Sequence, residues 1–343
     1  MSELTDTSPT AEFTRWPDLA SRQLAGSVVA ANDELFAQRE NLIKPEPSIF
    51  AAHDFGHKGK VYDGWEARRR RESGHDWAMV RLGVPGVVRG VIVDTAWFKG
   101  NYPPFVSLEA AAVDGYPSPD ELEHVEWATI VAKTDAQGDT LNAYAVESPE
   151  RWTHVRLSIY PDGGVARLRV HGEARPDPRF LAGTVDLVAL ENGGSLVGCS
   201  DAFYSSPANL ILPGRASIMG EGWENARRRG PGNDFAVFRL AGEGTPDHVE
   251  IDTSYFVGNA PGWVSLSACH QPELAAGEQP DAGATWWELV AKTRSQPDTR
   301  HRFLAENDRP ATHVRLDVYP DGGLTRLRIW GRLSQSALAA LAE

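Results

Sequence analysis

The sequence predicts an all-β protein: two tandem jelly-roll β-sandwiches with short helical extensions. Three observations carry that expectation. The chain is written twice, its apolar residues alternate with polar ones over short runs, and Gly, Pro and Asp separate the runs. The duplication is plain in Asp63-Gly64-Trp65-Glu66 with its arginine run 68–71, which returns as Glu221-Gly222-Trp223-Glu224 with arginines 227–229. Asp94-Thr95, Gly100-Asn101 and Val106-Ser107-Leu108 return 158 residues on, at Asp252-Thr253, Gly258-Asn259 and Val264-Ser265-Leu266. Thr153-His154-Val155-Arg156-Leu157 and Tyr160-Pro161-Asp162-Gly163-Gly164 return 159 residues on. Near the start Asn41-Leu42-Ile43 matches Asn209-Leu210-Ile211, 168 residues on, so the first copy is ten residues longer before residue 63. A repeat this regular sets two domains and lets each copy be read against the other.

The elements follow in order. Residues 1–25 read as a loosely packed arm with a short helix around 16–24, and the first repeat spans 26–172. In it Val91 to Phe98 is β-branched and aromatic, a strand composition. From Thr153 to Tyr160, Val155, Leu157 and Ile159 alternate with His154, Arg156 and Ser158, the mark of a half-buried strand. Residues 165–171 alternate likewise, and Pro161-Asp162-Gly163-Gly164 between them predicts a tight β-hairpin, since glycine accepts positive φ freely. A linker is expected over 173–194, with 184–190 able to add an edge strand, and the second repeat over 195–331. Residues 332–343 end the chain, where Ser334 before strong helix formers predicts a capped helix.

Composition narrows the partners. With 343 residues, 41% hydrophobic and 24% charged, each half is large enough for its own core. A net charge of −13 argues against nucleic acid or an anionic membrane as partner, while local arginine clusters still suit a small anion. Only Cys199 and Cys269 are present, which fits a reducing compartment. The first thirteen residues are polar and acidic, and no apolar run approaches a membrane span. A soluble, cytoplasmic protein is expected.

Several residues suit chemistry. Glu66 with Arg69 and Arg70, matched by Glu224 with Arg227 and Arg228, would serve bidentate recognition of a carboxylate, and equally a surface charge cluster. His75-Asp76 is a second candidate; Asp76 is matched by Asp234, whereas His75 faces Asn233 in the other copy. His154 and His313 are the only histidines that match between copies, each two residues before an arginine, Arg156 or Arg315. They fit carbonyl polarisation and carboxylate binding, or a strand histidine bonded to backbone. Asn101 and Lys133, with Asn259 and Lys292, complete the matched polar set. His53, Asp54 and His57 lie in the ten-residue excess of the first copy but match no strong metal template. With no zinc, phosphate-loop or nucleophile-elbow motif, metal-free and cofactor-free acid–base chemistry, or binding alone, is expected.

The residues Glu40 to Pro47, Asp63-Gly64-Trp65-Glu66, Gly74-His75-Asp76-Trp77 and Gly100-Asn101-Tyr102-Pro103-Pro104 together resemble the allantoicases. Asn209 to Arg215 and Met219 to Glu224 extend the resemblance across the second copy. It implies a galactose-binding-like jelly-roll pair that hydrolyses allantoate to ureidoglycolate and urea and assembles as an oligomer. Under it Glu66, Asp76, His75 and His154 would be catalytic, and Arg69, Arg70, Asn101, Lys133 and Arg156 would bind substrate. Two departures fall in the second copy: Gly232-Asn233-Asp234-Phe235 replaces Gly-His-Asp-Trp, and Ala260-Pro261 replaces an aromatic-Pro pair. The first repeat is therefore the expected catalytic one. Two other readings compete: a non-catalytic tandem sandwich binding a small acid or sugar through Trp97, Tyr102, Phe105 and Trp263, and an enzyme releasing urea from ureidoglycolate.

Overall fold

One strand of 19 residues organises each half of the molecule, Asp76–Asp94 in the first and Asp234–Asp252 in the second. The computed structural model describes residues 11–50, 53, 55–56, 59–305 and 307–342. It divides into units 1–173 and 174–343, so the expected linker opens the second unit.

In the first unit the leading half of Asp76–Asp94 joins a five-stranded antiparallel layer. Its order is Ser27–Ala31, Asp76–Asp94, Arg151–Tyr160, Phe105–Ala111, Ala128–Asp135. The trailing half pairs instead with Leu141–Ala145 and Arg167–Ala174. The strand changes layer where its pairing with Arg151–Tyr160 slips, between Arg81 and Gly86. Pro85 supplies no N–H there, and a Cβ on Gly83 would stand 2.0 Å from the Leu24 carbonyl oxygen. Ala78, Val80, Val106, Leu108, Val155, Leu157 and Ile159 fill the inner face of the five-stranded layer and are fully buried. Val91, Val93, Leu168 and Val170 are buried on the other strands.

The second unit repeats the plan. Ser195–Cys199 and Ala311–Tyr319 flank the leading half of Asp234–Asp252, and Arg300–Leu304 and Arg326–Leu333 flank the trailing half. The fold class read from the sequence stands: mostly strand, sandwich-like, in two tandem repeats.

Several local expectations are corrected. The predicted hairpin across Pro161-Asp162-Gly163-Gly164 does not form: Arg151–Tyr160 and Arg167–Ala174 pair with different halves of the long strand. Between them Gly164–Val165 pairs with Trp65–Glu66, and the Asp162 carboxylate accepts from the Arg70 N–H at 2.8 Å. The predicted strand 91–98 ends at Asp94, and Trp97 sits at φ 70° in the turn beyond. The segment read as a loose arm packs down from Glu12 on: Phe13, Leu19, Ala20 and Leu24 are buried, in two short 3-10 turns rather than one helix. Residues 1–10 lie outside the described residues. Val185–Asp186 does add an edge strand, on Arg326–Leu333, and Leu187, Val188 and Leu190 are core. Helix Gln335–Ala342 forms with the Ser334 hydroxyl accepting from the Ala337 N–H at 3.1 Å.

Candidate active site

The outer face of the five-stranded layer, turned away from the sandwich core, carries the site. Strand alternation puts Trp77, Met79 and Arg81 on this face, opposite Ser158, Arg156 and His154 of the next strand, which in turn face Ser107, Glu109 and Ala111. One end of the face is covered. Helix Pro119–Glu123, fixed by a Ser118/Glu121 capping box, lays Leu122 onto Met79 and Ala30, and Val113, Val125 and Trp127 pack around them.

The other end is an open cleft of about 710 Å³. It is lined by Asn32, Arg70, Gly74, His75, Trp77, Ser107, Glu109, Thr129, Lys133, Arg156, Ser158 and Tyr160. Tyr160 is its floor. The Lys133 ammonium stands 4.1 Å from the Tyr160 ring centroid, and the His75 ring lies against the same ring at 4.6 Å. The Tyr160 hydroxyl shares a hydrogen bond with Ser107 at 3.0 Å. Arg156 donates through Nε and Nη2 to Glu109 Oε2, at 2.8 and 2.7 Å. Arg70 Nη1 donates to Asp76 Oδ1 at 2.5 Å, and Asn32 Nδ2 donates to the same oxygen at 3.0 Å. Asn32 also accepts from the Trp77 N–H at 2.7 Å, holding the 75–77 segment in place. A second hollow of about 360 Å³ adjoins, lined by Asn32, Asp33, Arg68, Arg69, Arg70, Arg71, Glu72 and Asp76.

The charges nearly cancel. Arg70 is answered by Asp76 and Arg156 by Glu109, whereas Lys133 has no carboxylate partner among the described residues. Burial, then the neighbouring Arg70 and Arg156, push the His75 pKa below its ordinary value, so its imidazole is neutral at pH 7. The cleft thus offers one unanswered positive charge beside a neutral base.

The expected site residues fall into three groups. Arg70, His75, Lys133 and Arg156 line the cleft, with Asp76 behind Arg70 and Arg69 in the adjoining hollow. Glu66 and Asn101 stand outside both, bonded to each other at 2.6 Å, and burial raises the Glu66 carboxyl above its usual range. The same bond recurs as Asn259 Nδ2 to Glu224 Oε1 at 2.8 Å, and the main-chain carbonyls of Asn101 and Asn259 accept from the Gly164 and Gly323 N–H, each at 2.8 Å. His154 lies on the correct face but at the covered end, 1% exposed, with Nδ1 bonded to Thr153 Oγ1 at 2.8 Å. Burial, then Arg81, lowers its pKa to about 4, and His313 matches it with Thr312 and Arg239.

In the second copy Arg228 bonds Asp234, Lys292 stands over the Tyr319 ring at 3.7 Å, and Arg315 pairs with Asp317. Arg227 is exposed there. Of the three residues in the ten-residue excess of the first copy, His53 is exposed, while Asp54 and His57 lie outside the described residues. No group of three or more His, Cys, Asp or Glu side chains converges among the described residues. Sequence reasoning passed over Asn32, Trp77, Ser107, Glu109, Thr129, Ser158 and Tyr160. Ser107 and Tyr160 had a signal, since both match across the copies and Lys133 stacks on the tyrosine.

A family model for the allantoicase repeat matches residues 17–175 and again 185–334. The chain belongs to the allantoicase family. It is 51% identical to a probable allantoicase of Streptomyces coelicolor, over 96% of this chain and 89% of that protein. It is 41% identical to the allantoicase of Dictyostelium discoideum, over 91% of this chain and 86% of that one. The crystal structure of allantoicase from Saccharomyces cerevisiae matches with a TM-score of 0.77 at 35% identity, over 92% of each chain. No helix among the described residues is long and apolar enough to cross a membrane. Against the allantoicase frame the cleft belongs to the copy that keeps Gly74-His75-Asp76-Trp77.

Proposed function

We propose that the cleft of the first repeat hydrolyses allantoate to ureidoglycolate and urea. The observation that carries the assignment is the unanswered Lys133 ammonium on the Tyr160 ring, facing neutral His75 in a cleft that holds no other unbalanced charge. Allantoate brings one carboxylate and two ureido arms on a single carbon. The carboxylate supplies the missing negative charge, and the arms match a rim rich in donors and acceptors: Asn32, Ser107, Thr129, Ser158 and Arg156.

Urea leaves with both of its nitrogens, so the bond that breaks joins the central carbon to a ureido nitrogen, and water supplies the new hydroxyl. Neutral His75 takes a proton from the attacking water or from the remaining ureido N–H. The departing nitrogen gains a proton, for which Lys133 and the Tyr160 hydroxyl are the donors at hand. Asp76 and Arg70 act behind His75 by fixing the strand start from which it projects. Arg69, exposed in the adjoining hollow, attracts the anion toward the cleft. Glu66, Asn101 and His154, outside the cleft, are structural on this reading.

A cytoplasmic location and a homo-oligomeric state are part of the proposal. Sparse cysteine usage supports the first and the allantoicase resemblance the second. The test is direct: incubate purified protein with allantoate, with and without a chelator, and quantify urea and ureidoglycolate. Both should form in equal amounts, and Lys133→Ala should raise KM at least tenfold. Folded protein yielding neither product would overturn the assignment in favour of a binding module.

A further inference from the structure

The two copies hold the arginine of this face in opposite poses. In the first, Arg156 leans across to the next strand, bonds Glu109 and stacks on Trp127 with 4.7 Å between guanidinium and ring centroid. That leaves Ser158, one step along the same face, small and uncharged in the cleft. In the second copy the carboxylate has moved. Ser267 stands at the position of Glu109 and Asp317 at that of Ser158. Arg315 accordingly turns along its own strand and stacks over Phe235 at 3.9 Å. Its Nε reaches both Asp317 oxygens at 3.1 Å and its Nη2 reaches Oδ1 at 2.9 Å. Asn233, at the position of His75, donates Nδ2 to the same Oδ1 at 2.8 Å. Each arginine keeps one carboxylate; what changes is the strand that supplies it.

We infer that Asp317 is a built-in stand-in for the substrate's carboxylate. It marks, in the second copy, the place over Ser158 where the carboxylate of allantoate binds in the first, beside His75 and Arg156 in the cleft that Lys133 leaves positively charged. This rests on the reading of the first cleft as an allantoate site. Ser158 is then a specificity-determining residue, because only a small neutral side chain leaves that place to an external anion. Asp317 already occupies it in the second copy, and a second carboxylate brought there meets the like charge of a buried aspartate. The chain therefore binds one substrate molecule.

The exchange Glu109→Ser with Ser158→Asp tests this, since it installs in the first copy the arrangement the second already accommodates. It should melt within a few degrees of wild type and raise KM for allantoate more than tenfold. Ser158→Ala, and Glu109→Ser alone, should each raise KM by less than the exchange does, because neither brings a carboxylate to position 158. Calorimetric titration with ureidoglycolate, which keeps the carboxylate-bearing carbon, should give one site per wild-type chain and none in the exchange variant. An active wild type whose exchange variant retains its KM, an equal loss in Glu109→Ser alone, or two sites per wild-type chain would each overturn the inference. Absence of urea release by the wild type would instead fail the allantoate reading, with the titration still deciding the role of position 158.

Discussion

Asp76 is 1% exposed, and a carboxylate so placed is tolerated only while it is answered. Arg70 and Asn32 share its Oδ1, while Oδ2 and the Arg70 Nε meet no partner among the described residues. Arg70→Ala should therefore cost about 3–5 kcal/mol of stability by stranding a buried charge, read from urea midpoints. His75→Ala should act differently. It touches no core contact, so stability should hold while kcat falls by roughly 10²–10⁴-fold, the usual contribution of a general base. Because burial and the flanking arginines lower the His75 pKa, the acid limb of kcat/KM should lie below the ordinary histidine range and vanish in the variant. The sequence offered these residues unevenly. Reading one copy against the other brings forward what matches, such as Lys133 and Lys292, and passes over Glu109 and Ser158, whose partners are Ser267 and Asp317. Those differences are where the two copies part in chemistry. The same comparison brought forward Glu66 and His154, which lie outside the cleft.

The strands themselves were legible, because alternation is a local property: Arg151–Tyr160 appears where Val155, Leu157 and Ile159 alternate with polar residues. Their pairing was not. Asp-Gly-Gly between two strands is a hairpin signal, yet both strands prefer the long Asp76–Asp94 strand, one on each of its halves. No local pattern encodes a partner that lies so far away along the chain. The switch between halves depends on close backbone approach at Gly83, where an added Cβ would meet Leu24 O at 2.0 Å and its carbon at 2.5 Å. Backbone cannot swing aside as a side chain would. Gly83→Ala should thus lower stability by at least about 1–3 kcal/mol, the range for overpacked sites. Gly100→Ala, whose added methyl would meet nothing within 4 Å, should stay within about 0.5 kcal/mol. Comparable thermal shifts in the two variants would show that the layer switch tolerates crowding.

At the scale of the whole molecule each unit buries one histidine that the proposed chemistry does not use, His154 in the first and His313 in the second, each 1% exposed. Burial, with Arg81 or Arg239 nearby, lowers both pKa values to about 4, so both rings stay neutral in the folded chain down to that pH. Unfolded, each takes up a proton near pH 6.5. Between about 6.5 and 4 the unfolded chain therefore binds more protons, and stability falls as the pH drops through that window. Above it the full stability is present. The differential is on the order of 3 kcal/mol per histidine, felt in both halves because each carries one. Urea midpoints should accordingly fall between pH 7 and pH 4.5 in wild type and fall less in a His154→Gln/His313→Gln double variant. That variant would begin lower at pH 7, since the Thr153 and Thr312 bonds to the imidazoles are lost. Parallel pH curves for the two proteins would remove the histidines as the cause and assign acid sensitivity to the buried carboxylates instead.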